Sequence, residues 1–321
     1  MSEWLLQRLF QTKDQAIPRF AFQGTVNWMR GLSIIVDSPL FSDGAIANHY
    51  SSVQRRHPVN LEEDALVMEN VLLALHNISS LNSMNIAANK YDIVRSAIIS
   101  WYYTIYYFCS AMTLATSGTN LESHAGTARI WQADIVNRKL AIGPFGLSVR
   151  DLTPDAIKTT INLLRNGNVF TLPDCPRNVD EAWGVIYSYL GGTADYEKWW
   201  IEEELKKSKE FKRLNVTDFR KKDARTLRDS RLSRAMVNFL VQAFRFRGKA
   251  NYRDSIYLSY GDNRTDAINR FIADLDNVAS KFTRMASFYI SRRIERDAWG
   301  ALISDLETNK RITVNLDILR I

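Results

Sequence analysis

Residues 91–118 read YDIVRSAIISWYYTIYYFCSAMTLATSG, and no charged side chain falls between Arg95 and Glu122. Trp101, Tyr102, Tyr103, Tyr106, Tyr107 and Phe108 lie inside this stretch, set among Ala, Ile and Met. A helix that is apolar nearly all round is either enclosed by protein or sits in lipid. The run is long enough to span a bilayer. However, four of its residues from Tyr102 to Tyr107 are Tyr, Ser and Thr recur along it, and neither flank is strongly basic. The expectation is therefore a buried central helix and no membrane span. Ser117-Gly118 supplies its stop, because Gly accepts the left-handed conformation that closes helices.

The flanking sequence reads as helices that wrap this one. Asn60 is placed to cap a helix whose first turn holds Glu62, Glu63 and Asp64. Ala65, Leu66, Met68, Val71, Leu72, Leu75 and Ile78 follow at helical spacing. The clearest stripe is the last one: Ala267, Ile268, Phe271, Ile272, Leu275, Val278, Ala279, Phe282, Met285, Ala286, Tyr289 and Ile290, with Asp262 as its cap. Between these, a helix is expected over 125–139, and another opened by Thr153-Pro154 and ended by Asn166-Gly167. A short helix over 180–190 is read as ending at Gly191-Gly192, before a separate amphipathic one over 196–214. One further helix covers 224–247, with Phe239, Leu240, Ala243 and Phe244 on its core stripe and Gly248 as its break. Two segments look like strands, SIIV at 33–36 and the alternating tail RITVNLDILRI at 311–321.

Together these patterns predict an all-α fold: a helical bundle around a central buried aromatic-rich helix, with a long helical insertion. Residues 1–61 form an N-terminal helical and loop region. Residues 62–296 form the bundle, interrupted at about 140–215, and residues 297–321 form a C-terminal tail. The 321 residues are 46% hydrophobic and 24% charged, which suits a globular chain and not a disordered one. Only 14 Gly and 7 Pro argue against an all-β chain full of tight turns.

Cys109 and Cys175 are the only cysteines. Two isolated thiols make neither a disulfide framework nor a structural zinc site, and they suggest a reducing, cytoplasmic setting. The opening MSEWLLQRLFQTKDQ lacks the basic leader, apolar core and cleavage site of a secretory signal. No cofactor is expected: there is no Gly-rich phosphate loop ahead of a Lys, no GxGxxG after a strand and no HExxH. His49, His57, His76 and His124 are not spaced as metal ligands. His76 reads as structural and His57 as solvated, while His124 opens a helix as a cap or a site residue.

The net charge of +7 is concentrated. Residues 206–234 hold 12 Lys and Arg against 4 Asp and Glu, so the remainder carries −1. Such a run is ordinarily a solvated helix face, but most of this local charge is uncompensated, which raises the nucleic-acid reading. The sharper signal is FRFRGKANYRDSIYLSYG at 244–261. Arg245, Arg247, Lys249 and Arg253 are interleaved there with Asn251, Tyr252, Tyr257 and Tyr260. Arg offers forked donors that fit phosphate, and Tyr offers a face on which bases stack. These residues are the candidate nucleic-acid contacts: Arg245, Arg247, Lys249, Asn251, Tyr252 and Arg253. The competing reading packs the Tyr rings into the core and pairs the Arg side chains with nearby Asp.

Three segments carry a family resemblance. RSAIISWYYTIYYFCSAMTLATSG resembles the first long helix of HEPN (higher eukaryotes and prokaryotes nucleotide-binding) domains. ESHAGTARIWQ resembles the short His-Gly segment that often follows, and FRFRGKANYRD resembles the later helix with an Arg and a polar-Tyr pair. The resemblance spans roughly residues 65–295. It implies an all-α bundle, often a homo-oligomer, common in toxin–antitoxin, CRISPR-linked and other anti-phage defence systems. Catalytic members of the family use an Arg, four to six residues and a His as a metal-independent ribonuclease site. Here no His follows an Arg at that spacing, and Asn251 or Tyr252 stands where it would be. The expectation is a non-catalytic protein that binds RNA or single-stranded DNA, with a possible protein partner from the same defence operon. The alternatives are a ribonuclease with an altered site, built from Arg247, Asn251, Tyr252 and His124, and an assembly subunit that binds no nucleic acid.

Overall fold

The computed structural model describes residues 18–251, 265–309 and 312–321. Among these the fold is all-α, and only one small two-stranded sheet interrupts it. The helices are α1 (Pro18–Val36), α2 (Asp43–His49), α3 (Leu61–Asn85), α4 (Lys90–Ser117), α5 (His124–Ile130) and α6 (Pro154–Arg165). They continue with α7 (Val179–Lys207), α8 (Lys209–Arg213), α9 (Lys222–Leu232), α10 (Phe239–Asn251), α11 (Thr265–Arg293) and α12 (Ala298–Asn309). A single π-turn extends α5 over Trp131–Val136.

Helix α4 is the axis, packed against α3, α10 and α11. Its buried residues run almost without a break from Trp101 to Thr116. Trp101 is fully enclosed, with Trp28 of α1 at 5.9 Å and Phe246 of α10 at 5.3 Å, both edge-on. Among the described residues no helix is long and apolar enough to cross a membrane. At the N-terminus of α4, Asn89 caps the helix by accepting from the Tyr91 amide. Gly118 closes the other end at φ 69°. The carbonyls left open there are met by arginines: Arg56 donates to Leu114, and Arg293 donates to Ala115 and Thr116. Arg56 is fixed in turn by Glu63 and Asp64 in the first turn of α3, whose cap is Asn60 as expected.

Several expectations need correction. SIIV is the last turn of α1, because Ile35 and Val36 bury on the helix's core face. Gly191-Gly192 does not end a helix: α7 runs through both, since the bare Gly191 lets Ile161 of α6 approach to 3.3 Å from where a Cβ would sit. The 224–247 segment is two helices, broken where Val237–Asn238 (β2) pairs antiparallel with Ser148–Val149 (β1). Gly248 lies inside α10. Thr153 caps nothing with its side chain; its own amide donates to Asp151. The tail is not a strand. It turns once over Leu316–Leu319 and docks, with Leu319 buried and its carbonyl bonded to Trp299 Nε1 at 2.9 Å. The Asp262 cap lies outside the described residues.

A second, smaller core joins the sheet to α6, α7 and α9 through Val149, Leu152, Ile157, Leu190 and Leu232. Helix α9 of the basic segment contributes Leu232 to it, while most of that helix's Lys and Arg side chains are exposed.

Candidate nucleic-acid interface

Two helix termini and the middle of α4 converge at one place. Ser123 caps α5 by accepting from the Gly126 amide, which sets His124 at the first helical position. Gly126 has to be small, because a Cβ there would meet Ser123 Oγ at 2.7 Å. Asn238, buried in β2, caps α10 through the Val241 amide and donates to the Ala128 carbonyl of α5 at 2.8 Å. One side chain therefore fixes α5 and α10 relative to each other. Arg95 of α4 holds the far end of α10 by donating to the Ala250 carbonyl.

Between these supports stand His124, Arg247, Phe244 and the α4 tyrosines. Tyr102 Oη and His124 Nδ1 are 2.7 Å apart. Arg247 Nη2 donates to Tyr103 Oη at 3.1 Å, and its guanidinium lies 5.7 Å, 5.5 Å and 5.8 Å from the ring centres of Tyr102, Tyr103 and Phe244. The His124 ring is 5.1 Å from Phe244 and 4.7 Å from Tyr106. Tyr102 is buried, Tyr103 and Tyr107 are half-buried, and Phe244 is exposed. The site is thus a shelf with an aromatic floor and two nitrogen-bearing side chains on it.

The electrostatics are specific. Burial, reinforced by the positive charge of Arg247, holds the His124 imidazole below its ordinary 6.5, so the ring is neutral at pH 7. Burial, then the neighbouring Tyr106, pushes the Tyr102 phenol far above its ordinary 10. Tyr102 therefore keeps its proton and engages Nδ1 in either state of the ring, leaving Nε2 for a ligand. Among the described residues Arg247 pairs with no carboxylate, and its buried Nε–H has no acceptor. An unpaired guanidinium donor in a partly buried site is costly unless an anion completes it. No group of three or more His, Cys, Asp or Glu side chains gathers among the described residues as a metal site needs.

Of the six sequence-derived contacts, Arg247 stands on this shelf, and Arg245 lies against α7 instead. Arg245 donates to the Gly192 carbonyl at 3.0 Å and lies 3.9 Å above the ring of Tyr196. Lys249 and Asn251 belong to the last turn of α10, and their side chains, with all of Tyr252 and Arg253, lie outside the described residues. The sequence reading missed Tyr102, Tyr103 and Phe244, all assigned to the core. The available signal was hydroxyl-bearing rings at 102, 103, 106 and 107, a spacing that gives one helix face phenols where a core face needs none.

No protein-family model matches the chain, and no curated protein or solved structure matches it significantly.

Proposed function

We propose that the chain binds single-stranded nucleic acid, RNA or single-stranded DNA, through the shelf formed by His124, Arg247, Phe244 and the α4 tyrosines. The observation that carries this reading is Arg247: a guanidinium with no carboxylate partner among the described residues and an unsatisfied buried Nε–H, set beside exposed and half-exposed rings. Its fork fits a backbone phosphate, and Phe244 and Tyr103 offer faces for a base. The HEPN resemblance supports a role as a homo-oligomeric component of a bacterial anti-phage defence system, working beside a partner protein in the cytoplasm.

A ribonuclease reading gains from one observation. The His that is missing downstream of Arg247 is replaced in space by His124, from a different helix. In the tautomer whose Nδ1–H donates to the Tyr102 oxygen, Nε2 of the neutral ring carries the lone pair and can take the proton of a ribose 2′-hydroxyl. The 2′-oxygen then bonds to phosphorus, the 5′-oxygen leaves and is protonated from solvent, and Arg247 holds the non-bridging oxygens.

The test is a titration of labelled single-stranded RNA and DNA at several salt concentrations, with the RNA also run on a gel. Wild type is compared with Arg247→Ala and with Arg247→Lys, which keeps the charge but not the fork. Affinity that falls steeply with salt and weakens in Arg247→Ala supports the binding reading. Cleavage without added metal, lost in both Arg247→Ala and His124→Ala, moves the assignment to ribonuclease. No binding at low salt overturns both and leaves an assembly subunit.

A further inference from the structure

Three large aromatic side chains stand exposed on one face of α7: Tyr196 at 42%, Trp199 at 50% and Trp200 at 48%. Their i, i+3, i+4 spacing makes them neighbours, and the rings of Tyr196 and Trp199 are 5.8 Å apart. Single exposed apolar residues are ordinary, but a contiguous aromatic patch marks an interaction surface.

Both ends of this patch lead into positive charge. At one end Arg245 stacks on Tyr196 and bonds to the Gly192 carbonyl, only two residues before Arg247 in α10. At the other end Lys207 lies 5.8 Å from the Trp200 ring. There a cleft of about 410 Å³ opens between α7 and α9, lined by Trp200, Ile201, Glu204, Leu205, Ser208 and Arg231. Of the twelve basic residues in 206–234, only Lys206, Lys207, Arg220 and Arg228 pair with a carboxylate among the described residues. The acids on the α7 face do not oppose an anion strongly: Glu203 and Glu204 are bound to Lys206 and Lys207, and burial pushes the Glu197 carboxyl up. The face from Gly192 to Lys207 is about 22 Å long at 1.5 Å per residue, the reach of several extended nucleotides.

We infer that Tyr196, Trp199 and Trp200, continued by the Trp200–Arg231 cleft, form a second stacking track for the same single strand that Arg247 engages. This rests on the binding reading above. Exposed rings supply sequence-tolerant stacking, and Arg231, in the cleft beside Trp200 and without a carboxylate partner among the described residues, offers a phosphate contact. Arg245 joins the two sites, since its guanidinium covers Tyr196 while its helix carries Arg247.

The experiment uses the full chain and fluorescence anisotropy of labelled oligouridylates of four and sixteen nucleotides, beside an oligothymidylate of sixteen. Trp199→Ala/Trp200→Ala is expected to weaken the sixteen-nucleotide complex about tenfold or more, from one to two lost stacks. It should leave the four-nucleotide complex unchanged. Arg231→Ala, an exposed change, is expected to lower the salt slope for the long strand by about one. Equal loss for RNA and DNA fits stacking, whereas loss for RNA alone assigns the track to RNA. A double tryptophan variant that binds the long strand like wild type overturns the inference. Arg247→Ala at wild-type affinity beside a weakened tryptophan variant removes the Arg247 site and leaves the track standing. No binding of either length by wild type removes both and assigns the face to a protein partner.

Discussion

Tyr102 Oη and His124 Nδ1 lie 2.7 Å apart, and that bond joins the central helix to the first turn of α5. It fixes which imidazole nitrogen meets a ligand. It also places the ring in the field of Arg247, more than a hundred residues away in sequence.

The neutral state of His124 has a pH signature. The folded ring titrates below the unfolded value of about 6.5, so under that pH the unfolded chain binds the proton more readily. Stability linked to His124 is fully present above about pH 6.5 and is lost as pH falls through the folded value. In an NMR titration of the imidazole, Arg247→Ala is expected to move the midpoint upward, because one cause of the depression is removed. An unchanged midpoint would show that Arg247 does not act on the ring.

Tyr102→Phe keeps the ring packing and deletes the bond to Nδ1. The expected cost is about 1 kcal/mol in denaturant unfolding, the net worth of one hydrogen bond. If the chain cleaves RNA, the pH profile of cleavage should shift in this variant while Arg247-dependent binding persists. That separates a positioning role from a merely structural one.

Trp101→Ala should cost about 3–5 kcal/mol, because a fully buried indole is replaced by a cavity next to Trp28 and Phe246. Urea unfolding checks this directly, and a loss under 1 kcal/mol would mean the axis is not the core.

Gly118→Ala tests the end of the axis. At φ 69° the residue is in the left-handed region, and a new Cβ would sit 2.5 Å from Glu63 Oε2. The clash pushes on the Glu63–Arg56 pair that caps α4, so a loss of more than about 1 kcal/mol in thermal or denaturant unfolding is expected.

The axis and the wrapping helices were legible because burial imposes period and composition on a helix. The α11 stripe from Ala267 to Ile290 and the Asn60 cap are local signals, and the fold uses them as read. Gly191-Gly192 and the 224–247 segment misled for the opposite reason. Whether a glycine stops a helix or admits Ile161 depends on a neighbour 30 positions away, and the break at Val237 depends on a partner strand at Val149. Part of the site was visible as Arg247 in an Arg-rich segment and His124 at a helix start. Tyr102 and Phe244 were not, because they meet His124 only once three helices are brought together, with Asn238 bonding α5 to α10. Phe244 falls on the apolar stripe of its helix yet faces the shelf, a difference no periodicity reveals.

The most direct test is the His124 imidazole titration repeated with a saturating short oligouridylate. A phosphate seated on Arg247 places negative charge beside the ring and favours its protonated form. The account predicts that the His124 midpoint rises on binding in wild type and does not respond in Arg247→Ala. A bound oligonucleotide that leaves the wild-type midpoint where it was would contradict the placement of phosphate between Arg247 and His124.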